Sequence, residues 1–304
     1  VGTRDGTLQQ PLQTLTAAAG VATTTGDKIF LFSGNYTTGV TLANGVELAG
    51  HGLDATTVND FDAELGITPP SNSIARPLVD QTPPVITNPA GNGVTLGSNN
   101  TVRGVQIGNV TGAAISGTGF GTLRVYDDVR INTNGQGIVL NNGSFDATSV
   151  IATLTSSGGV NNVSLTTVNG TVNLGTGALS GATGSAFAVI GGNAGITYAG
   201  TINKTSAGLL IDVQNKATGT IALSGALGAT AGTGISLSNL DGTLTATGVV
   251  TLNGGDAGID VTTNSAGTIN FSNTGSAITN PTNEAIPIDS SSPTFTWAGT
   301  INKT

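Results

Sequence analysis

A recurrence at intervals of about 24 residues constrains this chain more than any other feature. Val163-Ser-Leu165, Phe187-Ala-Val189, Ile211-Asp-Val213, Ile235-Ser-Leu237 and Ile259-Asp-Val261 follow one another at one fixed spacing. A second track, Ile196-Thr-Tyr198, Ile221-Ala-Leu223, Leu244-Thr-Ala246, Ile269-Asn-Phe271 and Phe295-Thr-Trp297, keeps step at nearly the same spacing. Self-similarity at such a period marks a solenoid, in which each repeat is one coil that cannot bury its apolar face alone. Each triplet reads apolar, small or polar, apolar, the alternation of a short strand with one buried face. Stacking the coils places Val163, Phe187, Ile211, Ile235 and Ile259 above one another inside, and Ser164, Ala188, Asp212, Ser236 and Asp260 outside. The second track likewise turns Tyr198, Leu223, Ala246, Phe271 and Trp297 inward.

A coil of this length accommodates three short strands joined by turns, and the segments between tracks carry Asn-Gly, Asp-Gly and Gly-Gly, which permit tight corners. The expected fold is therefore all-β, a parallel β-helix, and right-handed because strand, crossover, parallel-strand connections almost always have that hand. One continuous rod over residues 1–304 is expected. Residues 1–25 form its N-terminal cap, with a helix over Thr7 to Ala19 that presents Leu8, Leu12 and Leu15 on one side and stops at Gly20. Residues 54–92 hold six of the ten prolines and read as a lateral loop. Regular coils fill 93–304, with an enlarged last coil at Asn280 to Pro293. Because Thr296 to Thr304 repeats Thr197 to Thr205 but for Trp297 in place of Tyr198, the pattern stops in mid-repeat, and further coils are expected beyond it.

Composition narrows the function classes. Only 9% of residues are charged and the net charge is -8, which makes nucleic acid and anionic membranes poor partners. The chain has no Cys and no Met, so it forms no disulfide and offers no thiolate or thioether to a metal or an oxidant. This suits an exposed life outside the cell. No apolar run approaches the length of a membrane span.

The succession GDKIFLFSGNYTTGVTLANGVELAGHG at 26–52 resembles the first coils of right-handed parallel β-helix proteins of the pectate-lyase-like superfamily. NNTVRGVQIGN at 99–109 and AGTINKTSAGLL at 199–210 are similar to bacterial surface proteins built of β-strand repeats, including autotransporter passengers. The resemblance spans nearly the whole chain. It implies a fold more than an activity, because that superfamily holds lyases, hydrolases, adhesins and phage proteins alike.

The densest charges are Arg103, Arg124, Asp127, Asp128 and Arg130, the candidate ligand-binding residues. Carboxylates beside arginines on a β-helix face could bind a sugar acid or act on a glycosidic bond; for Arg124, Asp127, Asp128 and Arg130 the simpler reading is a solvated salt-bridge cluster. Polygalacturonases of the resembled superfamily carry an Asp pair followed by Gly-His-Gly. Here Gly50-His51-Gly52 precedes Asp127 by about three coils, so His51 is expected to be a turn residue. A lyase needs several acids around Ca²⁺ and a nearby Arg or Lys base. Two aspartates are too few, and residues 131–304 contain no Arg and only Lys204, Lys216 and Lys303. No catalytic residue, metal or cofactor is assigned. Thr197, Thr245 and Thr296 share an outer column, but Ala222 and Asn270 interrupt it, so a regular ice-binding array is not expected. The chain is read as a non-enzymatic extracellular rod, stalk or fibre segment of a bacterial surface protein. Glycans or other surface components are its candidate partners, and end-to-end self-association is open to it. The alternative is a polysaccharide lyase or hydrolase, or a carbohydrate-binding β-helix, acting on acidic glycans.

Overall fold

The computed structural model describes residues 10–53, 82–254 and 258–303, together with 66, 68, 71 and 72. Its strands are parallel throughout and wind as a solenoid of three walls. In the first wall the register superposes Val163, Phe187, Ile211, Ile235 and Ile259, as the repeat spacing requires. All five are fully buried. In the second wall Tyr198, Leu223, Ala246, Phe271 and Trp297 superpose in the same way. Bulk is compensated between rungs: Phe271 fills the space beside Ala246, and Phe187 lies nearly parallel to Tyr198 with ring centroids 6.4 Å apart.

The first two walls form one seventeen-stranded sheet, because Ala113–Tyr126, Gln136–Phe145 and Val163–Asn173 run unbroken around the corner between them. That corner is left-handed: Asn142, Thr167, Gly191, Asn215, Asn239 and Thr263 occupy it in turn, with φ between 51° and 64°, and after Gly191 and Thr263 the next residue, Gly192 or Asn264, is left-handed as well. Asn tolerates this conformation, and Asn239 Nδ2 donates to Asn215 Oδ1 at 3.0 Å, linking successive corners. Thr167 is a β-branched residue held at φ 51° with an exposed side chain. Thr167→Asn should therefore stabilise the protein by about 1 kcal/mol, read as a raised denaturant midpoint with unchanged slope.

The third wall is an eleven-stranded sheet whose inner columns include Leu179, Ile202, Leu227 and Val250, then Ala229, Leu252, Ile278 and Ile301. Sequence reading allowed for a third strand per coil but did not place it over 163–304. Short, glycine-interrupted pieces such as Ala178–Leu179 and Leu227–Ala229 leave too few apolar positions to show a period.

Two sequence expectations change. The N-terminal helix spans Leu15–Val21 rather than Thr7 to Ala19, begins after Thr14, whose hydroxyl accepts from the Ala17 amide, and passes through Gly20. Leu15 enters the core and Ala18 and Ala19 pack against it, while Leu12 precedes the helix and Leu8 lies outside the described residues. Of the expected lateral loop, most of 54–81 lies outside the described residues. Its last part is not loop: Val85–Asn88 is a third-wall strand paired with Asn35–Tyr36 and Gln106–Val110.

Two buried lysines interrupt the apolar lining. Lys204 sits in the third wall beneath Ala229, and its ammonium donates to the Ala182 carbonyl and to Ser206 Oγ at 2.9 Å. Lys216 follows the corner Asn215, lies beneath Leu240 and donates to the Ala194 carbonyl at 2.8 Å. In both, a long apolar stem completes the stack while the charge caps a carbonyl from the coil below.

Candidate functional site

The five residues singled out by charge lie where the second wall turns into the third. The outward positions of the second wall form two columns here: Lys28, Glu47, Thr101 and Arg124, and beside them Phe30, Ala49, Arg103 and Tyr126. Strand pairing, not sequence proximity, thus brings Arg103 to Glu47 and Tyr126. Gly104 makes the stacking possible: at φ 60° it lies so close to the previous coil that a Cβ would come within 2.6 Å of the Leu53 nitrogen.

Arg103 is the centre of the cluster. Its side chain is only 6% exposed, with Nε 3.2 Å from Glu47 Oε1 and Nη1 3.2 Å from Asp127 Oδ2. Nη1 also donates to the Tyr126 hydroxyl at 2.7 Å. Glu47 pairs in addition with Lys28. The guanidinium carbons of Arg103 and Arg124 lie 4.9 and 5.0 Å from the centroid of the Tyr126 ring, whose negative face attracts both. Asp127 and Asp128 are successive left-handed residues, at φ 53° and 57°, and the turn they make points their carboxylates to different sides. Asp127 faces Arg103, whereas Asp128 accepts a two-pronged contact from Arg130, Nε at 2.8 Å and Nη2 at 2.7 Å.

The candidate cluster therefore divides. Arg103, Arg124 and Asp127 belong to one network, and Arg130 with Asp128 forms a separate, half-exposed pair. Arg124 is held loosely, its Nε 3.9 Å from Asp146 Oδ1. Asp146 turns mainly to Thr148, accepting from its hydroxyl at 2.6 Å and its amide at 3.0 Å. Those two donations, with Arg124 adding less, hold the Asp146 carboxyl below its usual range. The solvated-cluster reading fits Arg124, Asp128 and Arg130, whereas Asp127 is tied to the buried Arg103. Glu47, Tyr126 and Asp146 were missed because their places follow from the register of distant strands.

His51 is buried in the turn where sequence reading expected it. Its Nδ1 accepts from the Ser33 amide at 3.1 Å, and its ring meets Phe30 and Phe32 edge-on at 5.1 and 5.3 Å. Gly50 and Gly52 flank it because a Cβ at either would strike Pro84 or Pro83 and the Gly104 carbonyl. The backbone steps from Gly52 to Gly104 to Asp127, so His51 is two coils from Asp127 rather than three. Counting by sequence overestimates because, among the described residues, the strand that follows Glu47–Gly50 begins only at Val85. Asp212 and Asp260 stand two rungs apart with Ser236 between them, and the Gln214 amide donates to both Asp212 oxygens at 2.9 and 3.1 Å.

Chemically, Arg103 already spans two carboxylates and a phenol, so an acidic ligand would have to displace Glu47 or Asp127 to reach it. Among the described residues no group of three or more His, Cys, Asp or Glu comes together as a metal site. No helix of the described residues is long and apolar enough to cross a membrane. Compared with known proteins, the chain matches no family model, no curated protein and no solved structure.

The network has a measurable worth. Arg103→Gln removes the cation that Glu47 and Asp127 share, leaving Glu47 with Lys28 alone, and should cost about 2 kcal/mol in chemical denaturation. This is the low end for truncating a hydrogen-bonded charge pair, because the two carboxylates keep 15% and 18% of their side-chain exposure.

Proposed function

We propose that this chain is a non-enzymatic rod, stalk or fibre segment exposed at a bacterial surface, of the right-handed, pectate-lyase-like type that its opening coils resemble. The observation that supports this reading is the unbroken ladder: eleven strands of the third wall, stacked at about 4.8 Å, make a rod about 50 Å long. Hydrogen bonds of a parallel solenoid run along its axis, so three walls share any axial load. Among the described residues, the strands between the two ends of the stack are paired on both sides, which leaves a protease little backbone to seize. The internally paired charges around Arg103 support a scaffold over a reaction centre, and the absence of Cys and Met suits an oxidising exterior.

Display on a surface is what such a rod offers: reach, stiffness and a bland exterior, with glycans or other surface components as the partners of an adhesive version. The test combines a glycan array with assays for reducing ends and for unsaturated uronates released from acidic polysaccharides. No turnover, together with resistance of the folded rod to protease, is the expected result. Turnover that disappears in Asp128→Ala would replace this reading with a polysaccharide lyase or hydrolase. Retention of acidic glycans without turnover would replace it with a carbohydrate-binding module.

A further inference from the structure

The register reveals a surface that neither track shows by itself. On the outer face of the second wall, Thr171, Gly195, Thr220, Thr243, Thr268 and Thr294 follow one another rung by rung. Beside them run Asn173, Thr197, Ala222, Thr245, Asn270 and Thr296. The second column is the interrupted one seen in the sequence. The first, in which five of six positions are Thr, supplies what it lacks: each of the six coils carries at least one Thr, and the two columns together carry no charge.

Three further properties belong to this face. The hydroxyls of its eight threonines make no hydrogen bond to the described residues, whereas Thr133, Thr148 and Thr279 elsewhere use theirs on nearby backbone or side-chain atoms. Their β-branched side chains are stiff at χ1, so each methyl and hydroxyl keeps a fixed direction on the pleat. Their positions form a grid, with neighbours about 4.8 Å apart along the rod and about 6.6 Å apart across two strand residues. By contrast, the outer column of the first wall carries Asp212 and Asp260 and so breaks into charged and neutral places.

We infer that this face binds ice. On the primary prism plane of hexagonal ice the oxygen atoms repeat at close to the first of these spacings and, at right angles to it, at one somewhat longer than the second. A rigid grid of methyls and unengaged hydroxyls holds water in that arrangement without the strong, disordering hydration of a charge. Gly195, Ala222, Asn173 and Asn270 are small or neutral, so they leave gaps in the grid without raising an obstacle above it. The second column forms one side of a shallow recess, lined by its own Asn173, Thr197, Ala222 and Thr245 together with Ser224 and Thr247, that presents no charged side chain and no exposed aromatic ring. A neutral glycan would lack the stacking platform it ordinarily uses there.

The experiment is thermal hysteresis and ice shaping by the whole chain, with fluorescently labelled protein used to see whether it enters a growing ice hemisphere. The unaltered chain should facet the crystal and be taken up. Thr245→Tyr, which lifts a ring above the grid, should abolish both, while Ser236→Tyr on the outer face of the first wall should leave both intact. Circular dichroism melts of the two variants establish that each folds. The inference is overturned if the unaltered chain neither shapes ice nor enters it, if Thr245→Tyr does both as well as the unaltered chain, or if a folded Ser236→Tyr loses both.

Discussion

Phe187→Ala is expected to lower the free energy of unfolding by about 3 to 5 kcal/mol, the range for deleting a buried aromatic ring. Phe187 has no exposed surface and lies between Val163 and Ile211 on the inner wall. The upper part of the range is expected because the cavity cannot close. Its neighbours hang from backbone ladders whose spacing is set by hydrogen bonds, not by the side chains between them. Tyr198 cannot swing across, since its hydroxyl donates to the Leu154 carbonyl at 3.0 Å. Denaturant titration with the slope unchanged is the measurement. Thr197→Ala, an outward change on the neighbouring wall, should stay within about 0.5 kcal/mol. Equal costs for the two would deny that Phe187 belongs to a packed interior column.

The second large effect is a pH dependence. Burial pushes the Lys216 ammonium down from 10.5 to about 8, against a single carbonyl partner. Between these two values the unfolded chain holds a proton that the folded chain has released, so stability from this group rises with pH across the window. Below about 8 both states are charged and the burial cost is felt in full. Lys216→Met keeps the stem and removes the charge. The difference between the original chain and this variant should therefore move by about 3 kcal/mol in favour of the original as pH rises from about 8 to about 10.5. Other titrating groups, Tyr198 and Lys204 among them, are common to both chains and cancel in the difference. Parallel stability curves over that window would mean that Lys216 is solvated.

These two residues also mark how far the sequence could be read. Phe187 was legible because it recurs in step with four other apolar residues, and periodicity is the direct trace of stacking. Lys216 was not, because a lysine at an inward position breaks the binary pattern, and only the register under Leu240 shows that its stem replaces an aliphatic side chain. The third wall escaped placement for a related reason: Leu227-Gly-Ala229 offers one large apolar residue where most triplets of the other walls offer two. The helix was misplaced because apolar spacing was weighed above the cap at Thr14. At the candidate site, charge density pointed to the right turn of the chain. It could not pair Arg103 with Glu47, far earlier in the chain, nor separate Asp127 from Asp128, which turns on two positive φ angles.

The left-handed corners have a consequence for how such a molecule changes length. Every rung enters and leaves its neighbours with the same three walls and the same left-handed pivot, so a rung copied or lost in the gene still meets a matching surface above and below. Tyr198-Ala-Gly-Thr-Ile-Asn-Lys204 and Trp297-Ala-Gly-Thr-Ile-Asn-Lys303 are the imprint such copying would leave. Reach can then be tuned in steps of one rung, with no new core to invent.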